Sequence, residues 1–236
     1  MWQATVLTLF PEMFPGTLGQ SLAGRALEKG LWGLETLNFR DFALDKHKTV
    51  DDTPFGGGAG MVIRADVLDQ ALSSIPDLDQ GPVIYLTPRG QPLQQSMVKK
   101  FVKSSKITLI CGRYEGIDER LLQVRDIQEV SIGDFVLSGG ELAAMVLIDA
   151  CVRLLPGVMG AQESMEEESF QDGLLEYPHY TRPQVWQEIP VPEVLLSGHH
   201  ENIRKWRRQE AEKLTKDRRP DLWAKYKSLK GEVAGK

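Results

Sequence analysis

Between residues 82 and 154 short apolar runs alternate with helix-like stretches: strand 82–86, helix 93–103, strand 107–111, helix 117–124, strand 127–131, helix 141–154. The strand runs are almost continuously apolar, as expected when both faces of a strand are buried. Strands separated by helices require crossover connections and therefore parallel pairing. This alternation predicts an α/β fold, a mostly parallel sheet with helices on both faces. Upstream, residues 4–10 read as a strand closed by Pro11, 17–29 as a helix stopped by Gly30, 34–39 as a second strand, and 65–73 as a short helix. A chain of 236 residues, 42% hydrophobic and 26% charged, buries such a core without disulfides. Cys111 and Cys151 both lie inside apolar runs, which excludes a disulfide framework and points to a reducing compartment. The richest apolar stretch, 142–155, carries Asp149 and Arg153 and cannot span a bilayer. The start reads as a strand without the basic flank of a signal peptide. The expectation is a soluble cytoplasmic protein with no membrane partner.

The alternation ends near residue 156, where Gly157, Gly160 and the acidic cluster Glu163, Glu166, Glu167 and Glu168 mark a linker. The domain reading is 1–160 for the sheet domain, 161–175 for a flexible linker and 176–236 for a helical tail domain. Extended polar chain with Pro178, Pro183, Pro190 and Pro192 precedes two helices, about 199–216 and 220–229, the second opened by Pro220. Residues 201–236 hold 12 Lys/Arg against 6 Asp/Glu, a net +6 within a chain of net −5, so the first 200 residues carry −11. A basic tail on an acidic body is what a nucleic-acid partner calls for, although a solvated helical tail has the same composition. Trp206, Trp223 and Tyr226 lie among these cations, placed either to stack on bases or to pin the tail to its own core.

In a parallel sheet ligands bind beyond the carboxyl ends of the strands. Three successive strands end there in glycine-bearing loops, 87–90, 112–116 and 132–140, a composition suited to gripping a small molecule through main-chain contacts. No G-x-G-x-x-G follows the first strand, so a Rossmann oxidoreductase is disfavoured, and no Walker sequence occurs. The glycine run 56–60 lacks a phosphate-binding lysine and reads as a substrate-facing loop. His199-His200 has no Cys or carboxylate at zinc-ligand spacing.

Segments 83–88 (VIYLTP), 111–120 (CGRYEGIDER) and 131–142 (SIGDFVLSGGEL) closely resemble the bacterial tRNA (guanine-N1-)-methyltransferases that modify guanosine 37, members of the SPOUT superfamily. The resemblance extends to 9–14 (LFPEMF), 40–42 (RDF), 49–52 (TVDD), 56–58 (GGG), 155–158 (LPGV), 178–183 (PHYTRP) and 194–199 (VLLSGH). It implies a deep C-terminal trefoil knot in the catalytic domain, which general topology rules alone would reject. It also implies a homodimer with active sites at the interface, and S-adenosylmethionine held in the knot loops. The expected cofactor contacts are Tyr85, Leu86, Thr87, Pro88 and Gly90; Gly112, Tyr114 and Glu115; then Ile132, Gly133, Asp134, Phe135, Val136, Leu137, Gly139 and Gly140. Ala143 stands where the family often has proline.

Methyl transfer to guanine N1 needs alignment of the methyl group with N1, removal of the N1 proton and stabilisation of charge at O6. By resemblance Glu168 is the general base, a glutamate where the family normally has aspartate, with Glu167 as the neighbouring alternative and a solvated acidic linker as the structural one. Arg153 is expected near O6, its alternative role being a helix C-terminal cation. Asp51 is a candidate contact to the adjacent guanine or a loop cap. Arg204, Lys205, Arg207 and Arg208 are candidate phosphate contacts. The resemblance implies magnesium, though the sequence presents no defined metal-ligand set. The substrate expected is tRNA with guanosine at positions 36 and 37. The Asp-to-Glu change keeps open an alternative, an RNA-binding factor of the same fold with weakened catalysis.

Overall fold

Five parallel strands form the centre of the fold, a computed structural model describing residues 1–159, 169–170 and 173–234. They are β1 (Trp2–Thr8), β2 (Trp32–Asn38), β5 (Val83–Pro92), β6 (Lys106–Cys111) and β7 (Ile127–Ser131), in the spatial order β2-β1-β6-β5-β7. A separate two-stranded ribbon pairs β3 (Asp51–Asp52) with β4 (Val62–Ile63). The helices between strands are α1 (Ser21–Glu28), α2 (Ala65–Ser73), α3 (Gln95–Lys103), α4 (Glu119–Val124) and α5 (Glu141–Val152).

Alternation along each strand divides the core in two. Trp2, Ala4, Val6, Ile84, Leu86, Ile107, Leu109 and Cys111 pack with α1, α3 and α5 on one face. Leu7, Val83, Tyr85 and Ile110 pack with α2 and α4 on the other. Both faces are covered, which accounts for the unbroken apolar runs. Truncating a fully buried residue such as Ile84, Leu109 or Leu147 to alanine carries the usual core cost of about 2–5 kcal/mol.

The chain passes from β5 to its neighbour β6 and then crosses to β7 on the far side of β5. Strand order therefore reverses around β5, and the crevice above its carboxyl end is the topological position for a ligand. The strand expected at 82–86 runs on to Pro92 because it leaves and rejoins its partner. Leu86 pairs with Val130, residues 87–90 bulge out, and Gln91 again faces Val130. The first strand stops at Thr8 rather than 10, since Pro11 opens a 3-10 turn. The helix expected from 17 begins at Ser21, behind a 3-10 turn at Gly16–Gly19.

Two compact units divide the chain, Met1–Gly160 and Ala161–Lys236. The second contains a short hairpin, β8 (Val185–Trp186) with β9 (Ile189–Pro190), within what reads from sequence as extended polar chain. Its helices are α6 (Glu193–Leu196), α7 (His200–Arg218) and α8 (Pro220–Ala234). Leu174, Ala211 and Tyr226 form its small core, with Tyr177 and Trp223 against them. No helix among the described residues is long and apolar enough to cross a membrane.

Candidate active site

The loops that follow β5, β6 and β7 meet over the carboxyl end of β5 and enclose a cavity of about 270 Å³. In the first loop the 87–90 bulge folds back onto β7. A Cβ on Gly90 would come within 2.3 Å of the Val130 nitrogen, so the close approach requires glycine. Gly140 is held equally tightly in the third loop, where a Cβ would meet the Cys111 Cα at 2.7 Å. Its N–H donates to the Gly112 carbonyl at 2.9 Å, joining the third loop to the second.

The second loop is fastened from the other side by the β3–β4 ribbon. Glu115 N–H donates to the Met61 carbonyl, Ile63 N–H to Gly116 and Asp118 N–H to Ile63. Asp118 caps α4 by accepting from the Arg120 N–H at 3.0 Å. Its side-chain bond from the Arg120 guanidinium holds its carboxyl below the ordinary value. Within the third loop Ser131 Oγ donates to the Gly133 carbonyl at 3.0 Å and accepts from the Gly133 N–H at 3.2 Å. Together these bonds hold the cavity walls in place before any ligand arrives, which lowers the ordering cost of binding.

A buried ion pair ties the second and third loops to β1. Glu141, 1% exposed, opens α5, where a carboxylate is favoured by the helix dipole. Arg113 Nη2 lies 2.9 Å from its Oε2 and Arg113 Nε donates to its Oε1 at 3.3 Å. Thr8 Oγ1 donates to the same Oε1 at 2.7 Å. Arg113 also donates to the Ser138 carbonyl at 3.2 Å and stacks over Phe10 at 4.4 Å.

Of the residues expected to hold the cofactor, all except Gly90 and Asp134 line the cavity. Gly90 is turned against β7, and Asp134 is exposed at the loop tip. The wall also includes Arg89, Arg113, Gly116, Val130, Ser131, Ser138 and Ala143. Arg89, Arg113, Gly116 and Ser138 lie in the loops that the sequence marks as gripping a small molecule, although they are not among the named contacts, whereas Val130 and Ser131 at the end of β7 carry no such signal. Tyr85 lies beneath the second loop, with burial raising its phenol above the ordinary range. Neither thiol is an available nucleophile. Burial pushes Cys111 well above, and Cys151 up to about 12.

Asp51 lies on β3 opposite Ile63, the residue that bonds the second loop. Arg153 is the C-cap of α5, its N–H donating to Asp149. The cavity-side end of α5 is Glu141, twelve residues away, or about 18 Å at helical rise. Leu142 and Val146, 52% and 50% exposed, lie on a helical stripe that runs on to Asp149 and Arg153. Glu167 and Glu168 lie outside the described residues. In the second unit Arg204 and Lys205 are exposed. Arg207 stacks over Tyr177 at 4.8 Å, and Arg208 donates to Tyr226 Oη at 2.7 Å and to Glu212 Oε1 at 3.4 Å. Among the described residues no group of three or more His, Cys, Asp or Glu side chains is placed to hold a metal ion.

The model of the family described as tRNA (Guanine-1)-methyltransferase TrmD matches residues 2–225. The chain belongs to that family. A tRNA (guanine-N(1)-)-methyltransferase of Cereibacter sphaeroides is 57% identical over 98% of this chain and 94% of its own length. That of Rhodospirillum rubrum is 60% identical over 95% of this chain and 93% of its own. That of Bartonella henselae is 60% identical over 95% and 96%. The family's sheet-forming blocks and the glycine-bearing loops described above thus fall in one matched stretch.

Proposed function

We propose that this chain methylates N1 of guanosine 37 in the anticodon loop of tRNA, with S-adenosylmethionine as the donor. The observation that carries the reading is the convergence of all three family loop blocks on one cavity at the topological switch point. The cavity suits the donor. Leu86, Ile132, Leu137 and Ala143 offer apolar wall to a purine, while Thr87, Glu115 and the glycine main chain offer polar contacts. When bound, the donor supplies a methyl group on a positively charged sulfur.

The chain's own residues supply the rest. The loops orient the methyl group towards N1, and orientation alone is worth several kcal/mol of barrier. Glu168 accepts the N1 proton. Arg153 steadies the negative charge that develops at O6. Its place at the far end of α5 supports a homodimer, in which a second copy brings Arg153 and the linker to the cavity. The half-exposed Leu142 and Val146 on the same stripe support the same assembly. The contact between Gly140 and Gly112 supports the knot reading, since it sets the end of the third loop against the base of the second. Residues 1–160 form the catalytic domain, 161–175 the linker and 176–236 the tRNA-binding domain, in which Arg204 and Lys205 contact phosphate. No step here depends on magnesium. A cytoplasmic location goes with this reading as an activity on tRNA.

The test is incubation with methyl-labelled donor and tRNA. The wild type transfers label, and Glu168→Gln loses transfer while keeping donor affinity. Donor and tRNA binding without any transfer by the wild type would favour the RNA-binding factor instead.

A further inference from the structure

Phe55 stands out of the fold at 99% exposure, although phenylalanine is normally buried. It sits at the turn of the β3–β4 ribbon, directly before Gly56, Gly57 and Gly58, which have φ of +90°, +81° and +123°. A Cβ added at any of these three would meet nothing within 4 Å, so nothing packs on the segment that carries the ring. Phe55 is at the border of a groove of about 1240 Å³ that shares Arg89 with the donor cavity.

The charges of this groove decide what fits it. Its arginines are paired: Arg64 with Asp66 at 2.6 Å, Arg89 with Glu119 at 3.2 Å and Arg120 with Asp118 at 2.6 Å. Carboxylates outnumber cations along its wall, which disfavours phosphate. Asp66, Asp118 and Glu119 are held by those arginines and Asp69 by Arg125 at 2.6 Å, so a base edge donates its N–H groups to the lone pairs these bonds leave over, while its flat face suits a phenyl ring. Resting on the reading of the chain as a tRNA methyltransferase, we infer that Phe55 stacks on an unpaired base of the anticodon loop held in this groove. The contact fixes the loop beside the donor cavity and makes Phe55 a substrate-binding residue.

Steady-state kinetics of Phe55→Ala, Phe55→Leu and Phe55→Trp test this together with tRNA titrations followed by tryptophan emission. Phe55→Ala raises KM for tRNA about tenfold, within the range of one lost base–aromatic stack, with kcat and donor affinity within twofold. Phe55→Trp restores KM, Phe55→Leu does not, and the emission of Phe55→Trp falls on tRNA addition by more than that of the wild type. An unchanged KM in Phe55→Ala overturns the inference, as does full rescue by leucine. Dissociation of Phe55→Ala into monomers in sedimentation also overturns it, because the ring would then be covered by a second copy. A wild type that transfers no methyl group, beside a Phe55→Trp variant whose emission falls, refutes the catalytic reading and leaves the stack standing.

Discussion

Arg113 and Glu141, 28 residues apart in sequence, meet with Nη2 and Oε2 at 2.9 Å while both are largely withdrawn from water. Arg113 belongs to the loop after β6 and Glu141 to the first turn of α5. Their pairing therefore fixes the spacing of two walls of the cavity over the end of β5. Thr8 completes the network from the end of β1.

Removing the carboxylate should show how far the cavity depends on this pair. Glu141→Ala leaves a mostly buried guanidinium unpaired, a defect that costs about 3 kcal/mol or more. Thermal unfolding should register this as a clear drop in Tm, and calorimetry should show weaker donor binding. Thr8→Val removes two hydrogen bonds, the one donated to Glu141 and the one accepted from the Phe10 N–H at 2.9 Å, and should cost about 2 kcal/mol with little change in donor affinity.

Arg153 should behave differently, because it lies at the end of α5 away from the cavity. Arg153→Ala should lower kcat about a hundredfold, the scale of losing one charge-stabilising donor. Donor affinity by calorimetry should remain within twofold of the wild type. Arg153→Lys keeps the charge but not the planar fork, and should recover only part of the rate.

Glu212 gives the second unit a pH dependence of known sign. It accepts from Tyr226 Oη at 2.6 Å, from Lys230 Nζ at 3.0 Å and from Arg208 Nε at 3.4 Å. The Tyr226 bond is the main reason that its carboxyl lies below the ordinary value, with Lys230 and Arg208 adding to it. A carboxylate with a lowered folded-state pKa adds stability above its unfolded value, and this is lost as pH falls through the folded one. Unfolding followed from pH 7 down to pH 3 should therefore show the wild type losing more stability than Glu212→Gln. At pH 7 the variant should be less stable by about 1 kcal/mol.

The sheet was legible because its strands are short, apolar and separated by helices, a pattern with few parallel solutions. Ala65–Ser73 and Ile127–Ser131 fall where the apolar pattern puts them. The return of β5 to its partner after Gly90 was not legible, since Arg89, Gly90, Gln91 and Pro92 read locally as a turn and only pairing with Val130 and Ser131 makes them strand. Hairpin β8–β9 was hidden for a similar reason. Its turn residues Gln187 and Glu188 take φ of +48° and +64° without the glycine or asparagine that signals such a turn. At the cavity, glycines and the residues beside them could be named from sequence. The buried Arg113–Glu141–Thr8 network could not, because three separate segments must first be folded together before its members touch. Arg208 reads from sequence as a candidate phosphate contact, and its bonds to Tyr226 and Glu212 appear only once α7 and α8 are folded together.

Nucleoside analysis of tRNA after reaction with labelled donor addresses the proposed chemistry most directly. Transcripts carrying guanosine at positions 36 and 37 should gain one methyl group each, recovered as 1-methylguanosine, and transcripts with adenosine at position 37 should gain none. Label recovered on another atom or another nucleotide, or equal labelling of both transcripts, would contradict the assignment.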